Sequence, residues 1–262
     1  MLGMPSLLVG MGPLPPKALA DLPPPASLPT GTQYEVTDYG GNAAIVINGV
    51  WRFVAPFRTT WANRPPVNLV PVGAELQATD YNNQTWICDG TYWRPAQGRV
   101  VLKELHGLIA VGSQLAQLSG VSSGLFTIPG GCKIPAGMVI PHSRLFVQTD
   151  GFKAGANGQA NFTVQLGTSN SLSDVSICTQ SLTSASGVNS VISCAARFGT
   201  ATDRFNSRNW QGEGATGGSY NSMNDRVGFA NTNADMFLNL GVTGGNALDV
   251  FNLVSLQVVL EA

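Results

Sequence analysis

Apolar and polar residues alternate along the C-terminal half of the chain. In "FTVQL" (Phe162 to Leu166), Phe, Val and Leu fall on one face and Thr and Gln on the other; "MFLNLGV" (Met236 to Val242) and "VSLQVVLE" (Val254 to Glu261) alternate in the same way. A period of two residues belongs to a strand with one buried face. "RLFVQT" from Arg144 and "VISCAARF" from Val191 add two more strands, and loops of Gly, Asn and Ser separate them. Their number and spacing predict an all-β fold with a jelly-roll-like, two-sheet sandwich over residues 122–262.

Upstream, the pattern repeats. "TDYGGNAAIVINGVWR" begins at Thr37 and "TDYNNQTWICDGTYWR" at Thr79, a shift of 42. The same shift carries Pro23-Pro24 onto Pro65-Pro66, Gly31 onto Gly73, and Trp51-Arg52 onto Trp93-Arg94, so the units run from Leu22 to Ala55 and from Arg64 to Gln97. Each predicts a short strand (Gln33 to Val36, Glu75 to Ala78), a polar turn, a second strand (Ala44 to Ile47, Thr85 to Cys88), an Asn-Gly or Asp-Gly turn, and a third strand carrying the Trp. A three-stranded meander has one sticky face that it cannot bury alone, so duplication gives each copy something to pack on. The expected organisation is an extended N-terminal attachment arm over 1–28, tandem small repeats over 29–98, a connector over 99–121 and the sandwich. The arm follows from "PLPP" and "LPPP", which resist helix and lack sheet donors. In the connector, "RVVLKELHGLIAVGSQLAQ" has a strand-like start and a spacing that also suits a short helix.

Composition agrees with β structure. Only 11% of residues are charged, against 31 Gly and 16 Pro, whereas exposed helical faces draw on Glu, Lys and Arg. So little charge predicts a surface covered in part by other chains. A net charge of −1 with no Lys/Arg cluster leaves no footprint for nucleic acid. The apolar start "MLGMPSLLVGMGPLPP" lacks the basic region of a signal peptide, and no apolar run approaches a membrane span, so no membrane insertion is expected. Without a signal peptide, the glycosylation pattern at Asn161 should go unused. Cys88, Cys132, Cys178 and Cys194 form no C-x-x-C pair and are expected as buried, reduced thiols.

Candidate chemistry is sparse. "GVSSG" (Gly120 to Gly124) fits the nucleophile elbow, but "LFTIPGG" follows where that motif needs a helix. "GEGATG" (Gly212 to Gly217) fits a dinucleotide fingerprint without its flanking strand and helix. His106 and His142 stand apart from Cys and carboxylate clusters. No catalytic, cofactor or metal residue is assigned, and the chain is expected not to be an enzyme. Asp38 and Asp80 occupy matching turn positions, where Asp accepts backbone N–H bonds. Trp51, Arg52, Trp93 and Arg94 are candidates for repeat core or interface: Trp as the main apolar mass of a small sheet, Arg as the partner of an Asp or of another chain. The polar stretch from Thr202 to Arg226 is expected to be a long loop, and its Arg208, Trp210 and Tyr220 are the candidate ligand or receptor contacts.

The repeat pattern around Pro71 to Pro95, together with "FTIPGGCKIPAGMV" (Phe126 to Val139), "ANFTVQLG" (Ala160 to Gly167) and the closing "ADMFLNLGVTGGNALDVFNLVSLQVVL" (Ala234 to Leu260), resembles tail-fibre and related virion proteins of bacteriophages. The first repeat departs from the pattern, with Phe53 where Pro95 stands in the second. The resemblance implies a homotrimeric structural protein of the virion, assembled in the bacterial host cytoplasm. Its arm would attach to other virion proteins and its sandwich would face outward, towards a host glycan or protein. It leaves open a tail fibre contributing to host adsorption and, alternatively, a capsid-decorating head fibre or cement protein. An enzyme degrading surface polysaccharide would want clustered carboxylates, which the sequence does not pair.

Overall fold

The computed structural model describes residues 14–39, 42–106, 116–155, 158–182, 189–200, 205–211 and 233–262. Among them the fold is all-β, and every helical segment is a three-residue 3-10 turn. The chain divides into two compact units, Met1–Ala96 and Gln97–Ala262.

The first unit holds two four-stranded sheets of the same design. In the first, β1 (Leu14–Lys17), β2 (Gln33–Val36), β3 (Asn42–Ile47) and β4 (Val50–Phe53) lie in chain order; in the second, β5 (Phe57–Thr59), β6 (Glu75–Ala78), β7 (Gln84–Cys88) and β8 (Trp93–Pro95) do the same. The sequence predicts three strands per repeat. Each sheet has a fourth, because β1 and β5 add to β2 and β6 in parallel. Residues 14–28, read from the sequence as part of an extended arm, thus supply β1 and two 3-10 turns, Leu19–Asp21 and Pro25–Ser27. Pro15 and Pro16 are tolerated there because β1 is an edge strand, where a missing N–H leaves no ladder partner wanting. Residues 1–13 lie outside the described residues.

Within each sheet the remaining strands are antiparallel neighbours. The β3–β4 turn is Asn48-Gly49, both with positive φ (52° and 73°), the turn whose twist suits a two-residue hairpin. Alternation then sets the faces: Tyr34, Val36, Ala44, Val46 and Trp51 are buried in the first sheet, and Leu76, Ala78, Trp86, Cys88 and Trp93 in the second.

The second unit is a sandwich. One sheet comprises β9 (Arg99–His106), β10 (Ala116–Ser119), β13 (Arg144–Ala154), β16 (Asn189–Phe198), β17 (Phe205–Gln211) and β19 (Val250–Glu261). The other comprises β11 (Gly124–Leu125), β12 (Lys133–Ile134), β14 (Ala160–Gly167), β15 (Val175–Leu182) and β18 (Met236–Thr243). β9 and β10 pair with successive stretches of β19, and β11 and β12 with successive stretches of β18, so each pair fills one strand position. The orders are then β9/β10, β19, β13, β16, β17 and β11/β12, β18, β14, β15. Counting the two split strands once and leaving β17 aside, the first strand lies beside the last, then the third and the sixth; opposite them the second lies beside the seventh, then the fourth and the fifth. This is the jelly-roll order, with β17 added as an outer strand.

Two sequence expectations are corrected here. The start of the connector is not a linker but β9, which pairs with the closing strand over Ser255 to Glu261. The polar stretch beginning at Thr202 is not loop throughout, since Phe205–Gln211 forms β17. Between the sheets pack Leu145 and Val147 of β13, Phe162, Val164 and Leu166 of β14, Leu238, Leu240 and Val242 of β18, and Leu256, Val258 and Leu260 of β19, all buried. Phe126 and Phe162 stack with ring centroids 5.4 Å apart.

Candidate functional site

In the repeats, one polar side chain closes each sheet. Asp38 lies in the 3-10 turn Thr37–Tyr39 that follows β2, and its carboxylate accepts the N–H of Leu19 at 3.0 and 3.2 Å. Asp80 does the same for the N–H of Trp61, at 2.9 and 3.2 Å. In each copy the carboxylate therefore caps the first N–H of a 3-10 turn, Leu19–Asp21 or Trp61–Asn63, 19 residues upstream. A carboxylate on a backbone N–H is a charge-assisted bond, about twice the strength of a neutral one. It ties the edge-strand segment to the hairpin that follows.

The tryptophans repeat this logic. Trp51 is buried and its indole N–H donates to the Pro23 carbonyl at 3.1 Å; Trp93 is buried and donates to the Pro65 carbonyl at 2.9 Å. Each Trp thus fills the sheet's apolar face and satisfies a carbonyl on the preceding Pro-rich segment. The arginines diverge. Arg52 is exposed, opposite Ile45, while Arg94 pairs with Asp89 through Nε at 2.5 Å. Partial burial works against charge on Asp89, but the N–H groups of Tyr92 and Thr91 and the Arg94 guanidinium outweigh it and hold the carboxyl below its ordinary range. Arg64 lies over the Trp61 ring at 4.3 Å, and burial lowers its pKa. The second module's core is the larger, with Trp61 and Trp86 at 4.3 Å where the first has Leu19 and Ala44.

The modules meet through aromatic rings. Phe57, fully buried on β5, lies 4.6 Å from Phe53 and 5.1 Å from Tyr39 of the first module. Phe53, the residue that departs from the repeat, is thus the contact that joins one copy to the next.

In the sandwich, Arg208 and Trp210 occupy β17 with their backbones opposite Ala195 and Ser193 of β16; Tyr220 lies outside the described residues. The structure places the first two on one edge strand. Three other features had no signal in the sequence. Lys153 and Asp249 form an interior ion pair at 2.9 Å, with side chains 2% and 0% exposed. Lys153 Nζ also donates to the Gly155 carbonyl at 2.9 Å, and Gly155, at φ +112°, leaves no room for a Cβ beside the Asp249 carboxylate. Over the outer face of β14 and β18 runs the segment 168–174, anchored by Asp174, which accepts the N–H of Ser171 at 3.1 Å and of Ser169 at 3.3 Å. Under it lie Thr163, Gln165 and Asn239, all buried, and Gln165 donates to the Leu172 carbonyl at 2.9 Å. The third feature is a pair of thiols: Cys178 of β15 and Cys194 of β16 are both buried, on strands of the two sheets that lie against each other. The neighbouring Cys178 thiol, and burial after it, pushes the Cys194 thiol well up, while burial pushes Cys132 up to about 12 against the pull of Lys103.

Ser122 sits between β10 and the two-residue β11, without the helix of a nucleophile elbow, and its carbonyl accepts the N–H of Gly245. His142 is exposed in a turn with φ 67°, its N–H bonded to the Gly199 carbonyl; the His106 backbone is opposite Ser255. Among the described residues, no group of three or more His, Cys, Asp or Glu side chains could hold a metal.

No family model matches the chain, and neither does any curated protein. Among solved structures, it is similar to a winged bean acidic lectin complexed with methyl-alpha-D-galactose at 12% identity, covering 64% of this chain and 89% of the lectin, with a TM-score of 0.30. Lectin I-B4 from Griffonia simplicifolia, in metal-free form, compares at 9% identity, with 64% and 94% covered and the same TM-score of 0.30. Likeness of that degree carries no argument about fold or ligand.

Proposed function

We propose that the chain is a structural component of a bacteriophage virion, a tail fibre or tail-associated protein that contributes to host adsorption. The observation that carries the reading is the duplicated module, whose second copy packs Phe57 onto Phe53 and Tyr39 of the first. Two small sheets joined in series make a spacer, and the jelly roll that follows them in the chain supplies a scaffold whose loops can vary without disturbing its core. The resemblance of the repeat and of the closing strands to virion proteins agrees with this use. The reading assigns no catalysis or cofactor; it makes the chain a homotrimer with its N-terminal end towards other virion proteins and Arg208, Trp210 and Tyr220 on the adsorbing side.

An antibody against the purified chain, applied to phage particles from the strain that carries its gene, tests the proposal by electron microscopy. Label at the tail tip or fibres supports it. Label over the head makes the chain a capsid-decorating protein, and unlabelled particles overturn both assignments.

A further inference from the structure

We propose that Cys178 and Cys194 form a latent disulfide site which, once oxidised, ties the two sheets of the jelly roll together along the edge where β15 meets β16. Cys178 belongs to one sheet, opposite Val164 of β14; Cys194 belongs to the other, opposite Val147 of β13 and Asn209 of β17. No ladder joins β15 to β16, yet the two strands lie against each other, and the Cys178 thiol is near enough to that of Cys194 to act on it. Both side chains are buried, at 5% and 1% exposure, so the contact is an interior one between layers. Neither remaining cysteine competes: Cys88 is fully buried on β7, in the core of its own unit, and Cys132 precedes β12, on the far side of its sheet from β15.

The oxidant is a small-molecule disulfide such as oxidised glutathione. One cysteine thiolate attacks a glutathione sulfur, forming a mixed disulfide and expelling one glutathione thiolate, which takes up the proton that the cysteine gave. The second cysteine thiolate attacks the protein sulfur, closes the Cys178–Cys194 bond and expels the second glutathione thiolate, which takes the second proton. Two protein thiols are oxidised and one disulfide is reduced to two thiols. The neighbouring Cys178 and burial hold the Cys194 thiol protonated, so its exchange is slow at neutral pH and speeds up as pH rises or as the edge opens. The bond would close a loop of 16 residues, a constraint on the unfolded chain.

The test uses the full chain, purified reduced and incubated with oxidised glutathione at pH values above neutrality, with and without urea below its unfolding range. We expect the intact mass to fall by two hydrogens with no glutathione adduct, and a peptide map to link Cys178 with Cys194. The sandwich transition should rise by roughly 5–10 °C and return on treatment with dithiothreitol. C88S/C132S should behave identically, and C178S and C194S should each lose the shift. Glutathione adducts that never resolve, links to other cysteines, an unchanged Tm, or thiols that stay reduced in urea would overturn the proposal. Should the single variants fail to fold, the peptide map of the unaltered chain decides alone.

Discussion

Asp80 meets the chain 19 residues upstream through one N–H, and its removal leaves that donor without its partner. An unsatisfied buried donor costs about 1–3 kcal/mol, so Asp80→Ala should lower stability by that amount while Asp80→Asn, which keeps one acceptor, should lose less than half as much in urea unfolding. The indoles offer a finer contrast. Trp93 Nε1 bonds to Pro65, whereas the buried Trp86 Nε1 has no partner among the described residues. Replacement by Phe costs packing at both sites but removes a made bond only at Trp93, so Trp93→Phe should be the more destabilising by about 1–2 kcal/mol. Acid exposes a further residue effect. Asp89 is held below its ordinary range as described, and Asp235 is too, through Lys133 first and the Ala136 N–H second. A depressed folded pKa gives stability that is full above the unfolded value of roughly 4 and is lost as pH falls through the folded value. Asp89→Asn with Asp235→Asn should therefore flatten the acid limb of a stability-versus-pH curve, and because both pairs are largely exposed, high salt should shrink the difference.

Among elements, the joint between modules is the sharpest case. Phe57 is fully buried against Phe53 and Tyr39, so Phe57→Ala should cost about 3–5 kcal/mol in urea unfolding. Phe53→Pro, which installs the residue found at Pro95, should leave each sheet formed but uncouple them, splitting one unfolding transition into two; a single unsplit transition would contradict the joint. The repeat was legible because its shift of 42 is carried by side chains that do the same job twice: Asp38 and Asp80, Trp51 and Trp93, and the Pro-rich segments whose carbonyls they satisfy. The first strand was not legible. "LPPK" and "FRT" share no residue type and pair through backbone in a parallel edge ladder, which asks little of side chains. The same holds in the sandwich, where the alternating β14, β18 and β19 could be read while β17, "FNSRNWQ", shows no alternation and is a strand by virtue of its neighbour β16. Lys153, Asp249 and the meeting of Cys178 with Cys194 depend on which strands the topology brings together, information that no local window holds.

At the scale of the whole chain, the structure redraws where an attachment arm can be cut away. Removing residues 1–28 would delete β1, the Leu19 N–H that Asp38 binds, and the Pro23 carbonyl that Trp51 binds. Removing residues 1–13 deletes none of them. Proposed function requires a homotrimer, and light scattering on the full chain and on the two truncations separates docking from folding. The shorter truncation should keep the trimer mass and the Tm of the full chain. The longer one should lose the first module's transition, since it takes away a strand, a cap and an indole acceptor together. If the shorter truncation is monomeric, residues 1–13 hold the assembly together and are not a free docking element; if the full chain is itself monomeric, the virion reading loses its trimer, and the low charge of the surface must be explained by contacts with other proteins.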